Sequence, residues 1–539
     1  MFKKIGFTNK WSVISFFLII LILMPSVFIL IGFFNPISDT WLHIRRYLLK
    51  DYIYNSVILV FFTGLFSIII GVSLAWFVNA YDFKYSNFFK WGLILPLAVP
   101  PYIGSYTYVG LLNYTGVIQT FLRNNFELVL NQSYFNIMSL SGAIFIYTIF
   151  LYPYVFLITH AFLQKQSASL VEVSKTLGKS PISIFFRIIL PISRGAYVAG
   201  TTLVVLEVLN DYGVVKYFGI STFSTSIFQT WFSLGDINSA IRLSVYLMAF
   251  VIIVLFLEKL SRGGKQYSYS NTKIKPLKAK KLTGWKNWSM FIYAFTVLSL
   301  GFIIPVLQLI YWSIISYGKI LNMNIIQTVL NSIGVSLVGS FIILVAAVII
   351  ANTVRIKKNI LTKNYARIAV LGYSIPGAVI AVGVMIFFLK MDNFIQLISG
   401  QNNMLLLSSS IFMLIFAYLI RFLAIGYNSV ESGFNKIGTD FHEASRTLGN
   451  GITKTFFKVD LPMMKPALMS GFLLVSIEIL KELPLTLILR PFNFNTLATR
   501  AFEYANDEMI HESAILSLIL IFISVILVYS LTYIKKKGR

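Results

Sequence analysis

The chain has 539 residues, of which 57% are hydrophobic and only 12% are charged, and its mean hydropathy is +0.78. A water-soluble protein cannot bury so much apolar surface, so the composition predicts a protein that is solvated by lipid. The formal net charge of +25 does not indicate nucleic-acid binding, because the basic residues lie in short loops between apolar runs. The sequence contains no cysteine and its four histidines lack metal-ligand spacing, which excludes disulfides and thiolate metal sites.

Twelve apolar runs are long enough to cross a bilayer, whose core requires about 20 residues of helix. The first run follows Lys3, Lys4 and Lys10. It is too long for a secretory leader and has no small-residue cleavage site, so we interpret it as an uncleaved span. The predicted spans of the first half are 11–34, 55–80, 89–112, 140–163, 196–219 and 238–258. Those of the second half are 288–312, 331–353, 365–389, 405–426, 467–489 and 512–534.

The charge of the loops sets the predicted direction of the spans. The segment 259–287 carries nine basic residues and no acidic residue, and both ends of the chain are basic. Positive loops face the cytoplasm, so the linker and both termini are predicted to be cytoplasmic, which requires an even number of spans in each half. The sequence therefore predicts an all-α polytopic membrane protein of twelve transmembrane helices. They form two parallel six-helix repeats, 1–258 and 288–539, joined by the basic cytoplasmic linker 259–287.

One stretch of sequence occurs twice. The first copy reads E-V-S-K-T-L-G from Glu172 to Gly178 and continues to Leu190-Pro191. The second reads E-A-S-R-T-L-G from Glu443 to Gly449 and continues to Leu461-Pro462. Matched positions lie 271 residues apart, and 15 of the 40 positions from Glu172 to Asp211 are identical at that offset. Chance would give only a few identities, so the sequence contains an internal repeat.

Each copy lies in the loop between the fourth and fifth spans of its half, on the predicted cytoplasmic side. Residues 172–177 favour a short helix, Gly178 suits the position that ends it, and Ser180-Pro181 is a cap and first-turn pair for a second helix. We call these helix–glycine–helix segments the first elbow (169–195) and the second elbow (440–466). One copy alone could equally be a structured loop, but two copies with equal spacing favour a docking role.

The repeated pattern resembles the EAA loop of ABC importer permeases, in which Glu-Ala-Ala is followed by a glycine and then by Leu-Pro. Here Glu172-Val173-Ser174 and Glu443-Ala444-Ser445 stand in its place. The resemblance covers both halves and implies a fused permease of the type I importer fold. It also implies that each elbow seats a coupling helix in a cleft of a separate ATP-binding subunit, of which two copies bind. The candidate coupling residues are Glu172, Ser174, Gly178, Leu190, Pro191, Glu443, Ala444, Gly449, Leu461 and Pro462.

Nucleotide chemistry is not expected in this chain. Gly178-Lys179-Ser180 ends like a phosphate-binding loop, but Val173 stands where that loop requires its first glycine, and no strand precedes it. No nucleophile–base constellation indicates a membrane enzyme. We therefore expect a non-catalytic subunit that binds no cofactor, while the partner subunit uses ATP and Mg.

Two pairs of acidic residues lie inside the predicted fifth and eleventh spans. Glu207 and Asp211 form the first pair, and Glu478 and Glu482 form the second at the same 271-residue offset. A spacing of four residues places each pair on one helix face. Ionisable groups at this depth are costly and usually face the bundle interior or a watery path.

Two hypotheses explain these four carboxylates. They line the translocation path and favour a cationic substrate, since hard metal cations take oxygen ligands. Alternatively, they hold helices together through hydrogen bonds, or pair with Lys481, Lys216 or Arg421. No stable metal site is assigned.

The surrounding sequence resembles the ferric-iron-type fused permeases. The resemblance lies in residues 206–213, 217–219 and 222–225, and again in 478–484 and 489–498. That branch takes iron(III) from an extracytoplasmic binding protein across the bacterial inner (plasma) membrane, whereas related fused permeases carry thiamine and other solutes. Four residues recur at the same offset on the predicted outer side: Phe223, Thr225, Phe494 and Thr496. Contact with the binding protein and packing within the loop explain this recurrence equally well.

A secondary transporter with parallel six-span repeats is the alternative from another class, driven by an ion gradient through the intramembrane acids. It would transport without any partner ATPase. It leaves the two elbows unexplained, so the importer remains the favoured interpretation.

Overall fold

The computed structural model describes residues 10–128, 131–164, 169–262, 279–320, 323–357, 359–399 and 405–537. Within these ranges the chain is almost entirely helical. Nine of the described helices are long and apolar enough to cross a membrane, and two bent helix pairs raise the number to eleven. Lys3, Lys4, Arg539 and residues 263–278 of the linker, which contributed to the predicted orientation, lie outside the described residues.

In the first half, long helices alternate with short helical segments at the two faces. The second span begins at Asp39 rather than near residue 55, because Ser38 caps it and its Oγ accepts a hydrogen bond from Trp41 N at 3.2 Å. The helical segments in chain order are Lys10–Gly32, Asp39–Ala80, Ser86–Gly92, Leu95–Ala98, Pro101–Leu112, Val117–Phe126, Gln132–Phe135, Leu140–Gln164, Ser169–Thr176, Pro181–Ile192, Arg194–Asn210, Gly213–Tyr217, Phe223–Phe228, Gln229–Ser233 and Ile237–Arg262.

The second half repeats this order of elements. The seventh span of the chain, which is the first of this half, runs through a π-helical turn at Ser299–Ile303 without a break in direction. Its helical segments are Trp285–Leu298, Ser299–Ile303, Ile304–Ile320, Met323–Ile356, Ile360–Leu371, Gly372–Ser374, Gly377–Ser399, Ile411–Ile437, Asp440–Thr447, Ile452–Met463, Lys465–Lys481, Pro484–Leu489, Leu497–Asn506 and Ile510–Lys537.

The predicted third span, 89–112, is a broken segment. Proline removes a backbone donor and clashes with the preceding turn, so Pro96, Pro100 and Pro101 prevent one continuous helix. Val99 has an extended backbone, and a helix of 12 residues starts at Pro101. This segment therefore does not count among the described helices of membrane-spanning length, which number nine, or eleven if each bent pair is one span, rather than the predicted twelve.

The first span of each half packs against the opposite half. Ser15 Oγ in the first span lies 2.7 Å from Thr353 Oγ1 in the eighth. Gly110 in the third span makes room for the ring of Trp312 in the seventh, because a Cβ at this glycine would lie 2.5 Å from that ring. The two halves are therefore interlocked, and their interface runs through the middle of the helix bundle.

Both elbows lie on the same face of this bundle. At the start of the first span, Trp11 Nε1 donates to Thr453 Oγ1 of the second elbow at 3.2 Å. Near the end of the second span, the ring of Trp76 lies 6.4 Å from that of Phe185 in the first elbow. Because these two spans cross the bundle in succession, the start of one and the end of the other share a face.

The end of the linker lies on this face too. The two-residue strands Tyr81–Asp82 and Lys280–Lys281 pair in parallel, and Leu282 N donates to Asp82 O at 2.9 Å. The elbow face therefore also carries basic residues of the linker.

Candidate functional site

The helices that carry the acids end one residue before the second acid of each pair. Asp211 follows the helix Arg194–Asn210, Glu482 follows Lys465–Lys481, and both residues have an extended backbone. Broken helices in membrane proteins are tolerated where they line cavities. Gly213 and Pro484 open the next short helices, Gly213–Tyr217 and Pro484–Leu489.

All four acidic side chains surround one cavity between the two halves. Its volume is about 70 Å³, which leaves room for only a few water molecules. The structure thus brings together residues that the sequence separates by 271 positions. The ionisable residues that line it, apart from tyrosine, are Glu207, Asp211, Glu478, Glu482, Arg421 and Lys481.

Both acids of the second half face a basic side chain. Arg421 Nε lies 3.1 Å from Glu482 Oε2, and these side chains are only 3% and 5% exposed. Lys481 Nζ lies 3.4 Å from Glu478 Oε1, in a pair that is 14% and 23% exposed. Two of the three basic partners considered from the sequence are therefore present in the cavity. The third, Lys216, lines a different pocket.

Both acids of the first half are instead hydrogen-bonded to tyrosines. Tyr373 OH donates to Glu207 Oε1 at 2.9 Å. Tyr147 OH donates to Asp211 Oδ2 at 2.7 Å, and Val214 N donates to the same oxygen at 2.8 Å. Neither carboxylate has an ion pair in the part of the chain that the structure describes.

The sequence repeat shows where this difference arises. At the 271-residue offset, Arg421 corresponds to Phe150 and Lys481 corresponds to Asn210. Asn210 Oδ1 accepts a hydrogen bond from Gly377 N at 2.5 Å, so it ties the first half to the ninth span. Only the second half therefore contributes basic groups to the cavity.

Sequence reasoning missed the hydrogen-bonding residues Tyr147, Tyr373 and Asn210. One signal was available, because Tyr147 and Tyr418 are matched at the repeat offset within otherwise apolar spans. Tyr418 lies 2.6 Å from Thr486 Oγ1 and is also buried. Tyrosine on an apolar helix is ordinary, so the pattern alone did not indicate a site.

Aromatic rings close the cavity on the side away from the elbows. Tyr102 lines the cavity, and its ring centroid lies 6.2 Å from that of Phe502. Phe502 lies 6.0 Å from Tyr212, which stacks on Phe228 at 3.8 Å. We call these four residues the aromatic plug. Three of them also line an outer pocket of about 520 Å³, so the plug separates the two spaces.

The recurring residues of the outer loops have structural contacts. Phe223 is buried, and Thr496 caps the helix that begins at Leu497. The 271-residue offset pairs Thr496 with Thr225, but the corresponding cap in the first half is Thr222. The repeat is therefore shifted by three residues in this loop, and Phe223 and Thr496 have structural roles here.

The helix end expected at the elbow glycines is observed in both copies. Gly178 has φ of +72° and Gly449 has φ of +82°. The residue after each glycine donates its backbone N–H to the carbonyl of the serine that lies four residues before the glycine. The distance is 3.1 Å to Ser174 O and 3.3 Å to Ser445 O. No atom lies within 4 Å of a Cβ added to either glycine. The backbone conformation, not lack of space, requires glycine there.

The expected coupling residues differ in exposure. Glu172, Glu443 and Ala444 are exposed, whereas Ser174 is buried. Leu190 and Leu461 are half-buried against the core, and Pro191 and Pro462 are exposed. Two further leucines at matched positions were not singled out from the sequence. They are Leu177 and Leu448, and their exposed fractions are 72% and 82%.

An ion cluster holds the second elbow, and apolar residues replace two of its members at the matched positions of the first. Asp460 is fully buried, 2.9 Å from Arg355 Nη1 and 2.7 Å from His442 Nδ1. At the repeat offset Asp460 corresponds to Ile189 and His442 to Val171, both of which are buried. The first elbow is thus packed by apolar contacts at the positions where the second is held by charges.

Each elbow continues directly into a helix that carries acids. Pro181–Ile192 meets Arg194–Asn210 at a bend of 70°, and Ile452–Met463 meets Lys465–Lys481 at 74°. Each elbow helix contains a π-helical turn at the same repeat position. Only one residue separates each elbow helix from the helix that leads to the acids.

Comparison with known proteins agrees with this architecture. Residues 67–311 and 343–537 match the family described as "Binding-protein-dependent transport system inner membrane component". A Fe(3+)-transport system permease protein, FbpB 2, of Haemophilus influenzae is 26% identical over 484 residues, which cover 88% of each chain. A putative ferric transport system permease protein, FbpB 1, of the same organism is 22% identical over 86% of this chain and 75% of its own. The ferric transport system permease protein FbpB of Actinobacillus pleuropneumoniae is 22% identical over 84% and 67%. Because the family match occurs twice and covers more than half of the sequence, this multi-pass chain belongs to the family of binding-protein-dependent transport system inner membrane components.

Proposed function

We propose that this chain is the permease subunit of an ATP-driven importer that carries ferric iron across the bacterial inner membrane. The observation that carries the proposal is the pair of matched elbows on one face. Each elbow is continuous with a helix that carries one acid and ends directly before a second, and both acids line a shared cavity. The choice of iron is supported by the three relatives named for ferric transport. It is also supported by the oxygen-rich lining of the cavity, since hard cations bind oxygen ligands.

In this proposal the elbow face is cytoplasmic, together with both termini and the linker 259–287. The repeats 1–258 and 288–539 contribute six crossings each, with the broken segment 89–112 as one crossing of the first repeat. Two copies of an ATP-binding subunit dock there, one on each elbow, and an extracytoplasmic binding protein delivers iron at the opposite face. The permease itself is not catalytic and binds no cofactor, while the docked subunits use ATP and Mg. The basic linker residues on the elbow face support this orientation.

The bend in each elbow gives docking a mechanical route to the cavity. Glu207 lies 13 residues after the start of the helix Arg194–Asn210, which is about 20 Å at 1.5 Å per residue. A tilt of about 10° at the bend therefore moves this carboxylate by about 3 Å. Closure of the ATP-binding subunits would thus rearrange both acid pairs, and the aromatic plug on the opposite side would open or close with them.

The four acids have different roles in this proposal. Arg421 and Lys481 offset the charges of Glu482 and Glu478, which makes the second-half pairs a fixed part of the wall. Glu207 and Asp211 have no ion pair among the described residues and supply the contact with the cation. Two unit charges 4 Å apart interact by about 4 kcal/mol at an effective dielectric of about 20, and a trivalent ion interacts more strongly.

Uptake by matched carboxylate variants tests this division. Glu207→Gln should lower ATP-dependent iron uptake at least about tenfold, because about 1.4 kcal/mol of lost stabilisation already gives that factor. Glu478→Gln at the matched position should lower uptake less than about threefold. Glu431→Gln, an exposed acid outside the cavity, is the control for expression and insertion. Normal uptake by the Glu207 variant would remove this carboxylate from the path, and equal losses at both positions would contradict the division of roles.

A further inference from the structure

A groove of about 650 Å³ lies where the first span, the eighth span and the second elbow meet. It shares no residue with the acid cavity. Its volume falls in the range of about 300–1,000 Å³ that is typical of small-molecule sites. The walls are almost entirely apolar and include Trp11, Ile14, Phe341, Val345, Phe456 and Phe457.

Trp11 fixes one wall of this groove. Its indole Nε1 donates to Thr453 Oγ1 at 3.2 Å, and its ring lies 4.9 Å from that of Phe456. The first span is thereby attached to the second elbow at the membrane boundary, where tryptophan is enriched. The groove is therefore built by fixed contacts between elements that are distant in sequence.

One lysine lines the groove, and two more lie directly beside lining residues in sequence. Lys10 lines it directly. On the elbow helix, Lys454 and Lys458 are exposed and adjoin the lining residues Thr453 and Phe457. An apolar slot with a basic mouth is complementary to a molecule with an apolar chain and an anionic head.

No exposed acid on these segments offsets the lysines. The helices Lys10–Gly32, Met323–Ile356 and Ile452–Met463 contain one acidic residue, Asp460. Asp460 is fully buried and already lies between Arg355 and His442. The exposed acids Asp440 and Glu443 lie on the preceding helix of the second elbow, which does not line the groove. Among the described residues, the three lining helices therefore carry more basic than acidic side chains at this end.

We propose that this groove binds one anionic phospholipid, with an acyl chain along the apolar walls and its phosphate at Lys10, Lys454 and Lys458. Lipid tails are as apolar as the groove, so the headgroup charge decides the preference. The bound lipid braces the second elbow against the first span. Lipid binding does not depend on which substrate is transported. It rests on the proposed function in one respect only, the assignment of the elbow face to the cytoplasmic leaflet.

Quenching of tryptophan by brominated lipid tests the proposal. The purified full-length chain is placed in nanodiscs with increasing fractions of brominated phosphatidylglycerol or brominated phosphatidylcholine. The difference between the unsubstituted chain and Trp11→Phe reports on Trp11. The same difference for Trp285→Phe is the matched control, since Trp285 starts the seventh span and is 79% exposed.

The lipid fraction that gives half-maximal quenching of Trp11 should be lower for the anionic lipid than for the zwitterionic lipid, by a factor of about five or more. A factor of about five is expected from one basic residue at the membrane surface. Trp285 lies beside the exposed Lys286 on the same face, so it should show only the weaker preference that surface lysines produce without a groove. The triple variant Lys10→Gln, Lys454→Gln, Lys458→Gln should lose the preference of Trp11. It should also lose the phosphatidylglycerol that native mass spectrometry detects on the unsubstituted protein.

Equal quenching of Trp11 by both lipids would show that the groove contacts ordinary bilayer lipid without preference for the headgroup. No quenching by either lipid would show that protein fills the groove. Either result, or a preference unchanged in the triple variant, would overturn the proposal, and none of them bears on iron transport.

Discussion

Replacing Arg421 by methionine should destabilise the protein by about 3–5 kcal/mol, the usual cost of removing one partner from a buried ion pair. Arg421 and Glu482 are separated by 3.1 Å and are almost completely buried. The substitution also removes the hydrogen bond from Arg421 Nη1 to Ile375 O at 3.3 Å. The penalty arises mainly because the Glu482 carboxylate is left in the cavity wall without its partner.

The double variant Arg421→Met, Glu482→Gln should recover most of this loss, because it leaves no unpaired charge. Glutamine keeps the oxygen that accepts from Leu485 N at 3.1 Å. Lys481→Gln is the matched control. Its pair with Glu478 is longer and partly exposed, so it should cost less than about 1 kcal/mol.

The free energy of unfolding in mixed detergent micelles is measured for the unsubstituted protein, for these three variants and for Glu482→Gln alone. A cost below about 1 kcal/mol for Arg421→Met would refute the reasoning, since it would mean that the pair is not desolvated. A double variant that is as unstable as the sum of its single changes would refute it as well, because the two side chains would then be uncoupled.

Three further outcomes are expected. Gly449→Val places a β-branched residue at φ of +82°, a conformation that costs about 1–2 kcal/mol. This variant should still insert into the membrane but should no longer co-purify with the ATP-binding subunit. The control Gly451→Ser, at φ of −66°, should have no effect on co-purification. Asp460→Asn leaves Arg355 without its buried counter-ion and should increase amide hydrogen exchange in the second elbow, so unchanged exchange would count against the ion cluster. The sequence has no cysteine, so Leu151→Cys adds a single thiol at the cavity. An impermeant thiol reagent applied opposite the elbows should label it only when Phe502→Ala opens the plug, and labelling with the plug intact would disprove closure.

The duplication made the elbows predictable from sequence. Gly178 and Gly449 recur at one offset, each at the end of a short helix-forming stretch, and the structure places both in the left-handed region. The two acid pairs were found by the same offset, and the structure gathers them around one cavity. A repeated residue carries information because two independent positions must satisfy the same local geometry.

The features that sequence reasoning missed depend on contacts between distant segments. Apolar composition concealed the break at Pro100, because a hydropathy pattern records burial rather than helix continuity. The pairing of Arg421 with Glu482 was one of several open alternatives, since it joins the tenth span to the eleventh. The hydrogen bond from Tyr373 to Glu207 crosses from one half to the other, and no local pattern predicts it.

Transport by the reconstituted protein tests the central claim most directly. The chain is placed in vesicles with its ATP-binding subunit inside and an iron-loaded binding protein outside, and entry of radioactive iron is measured with and without ATP. Uptake should require ATP, the ATP-binding subunit and intact elbow glycines. Uptake at the same rate without nucleotide or without the ATP-binding subunit would contradict the account.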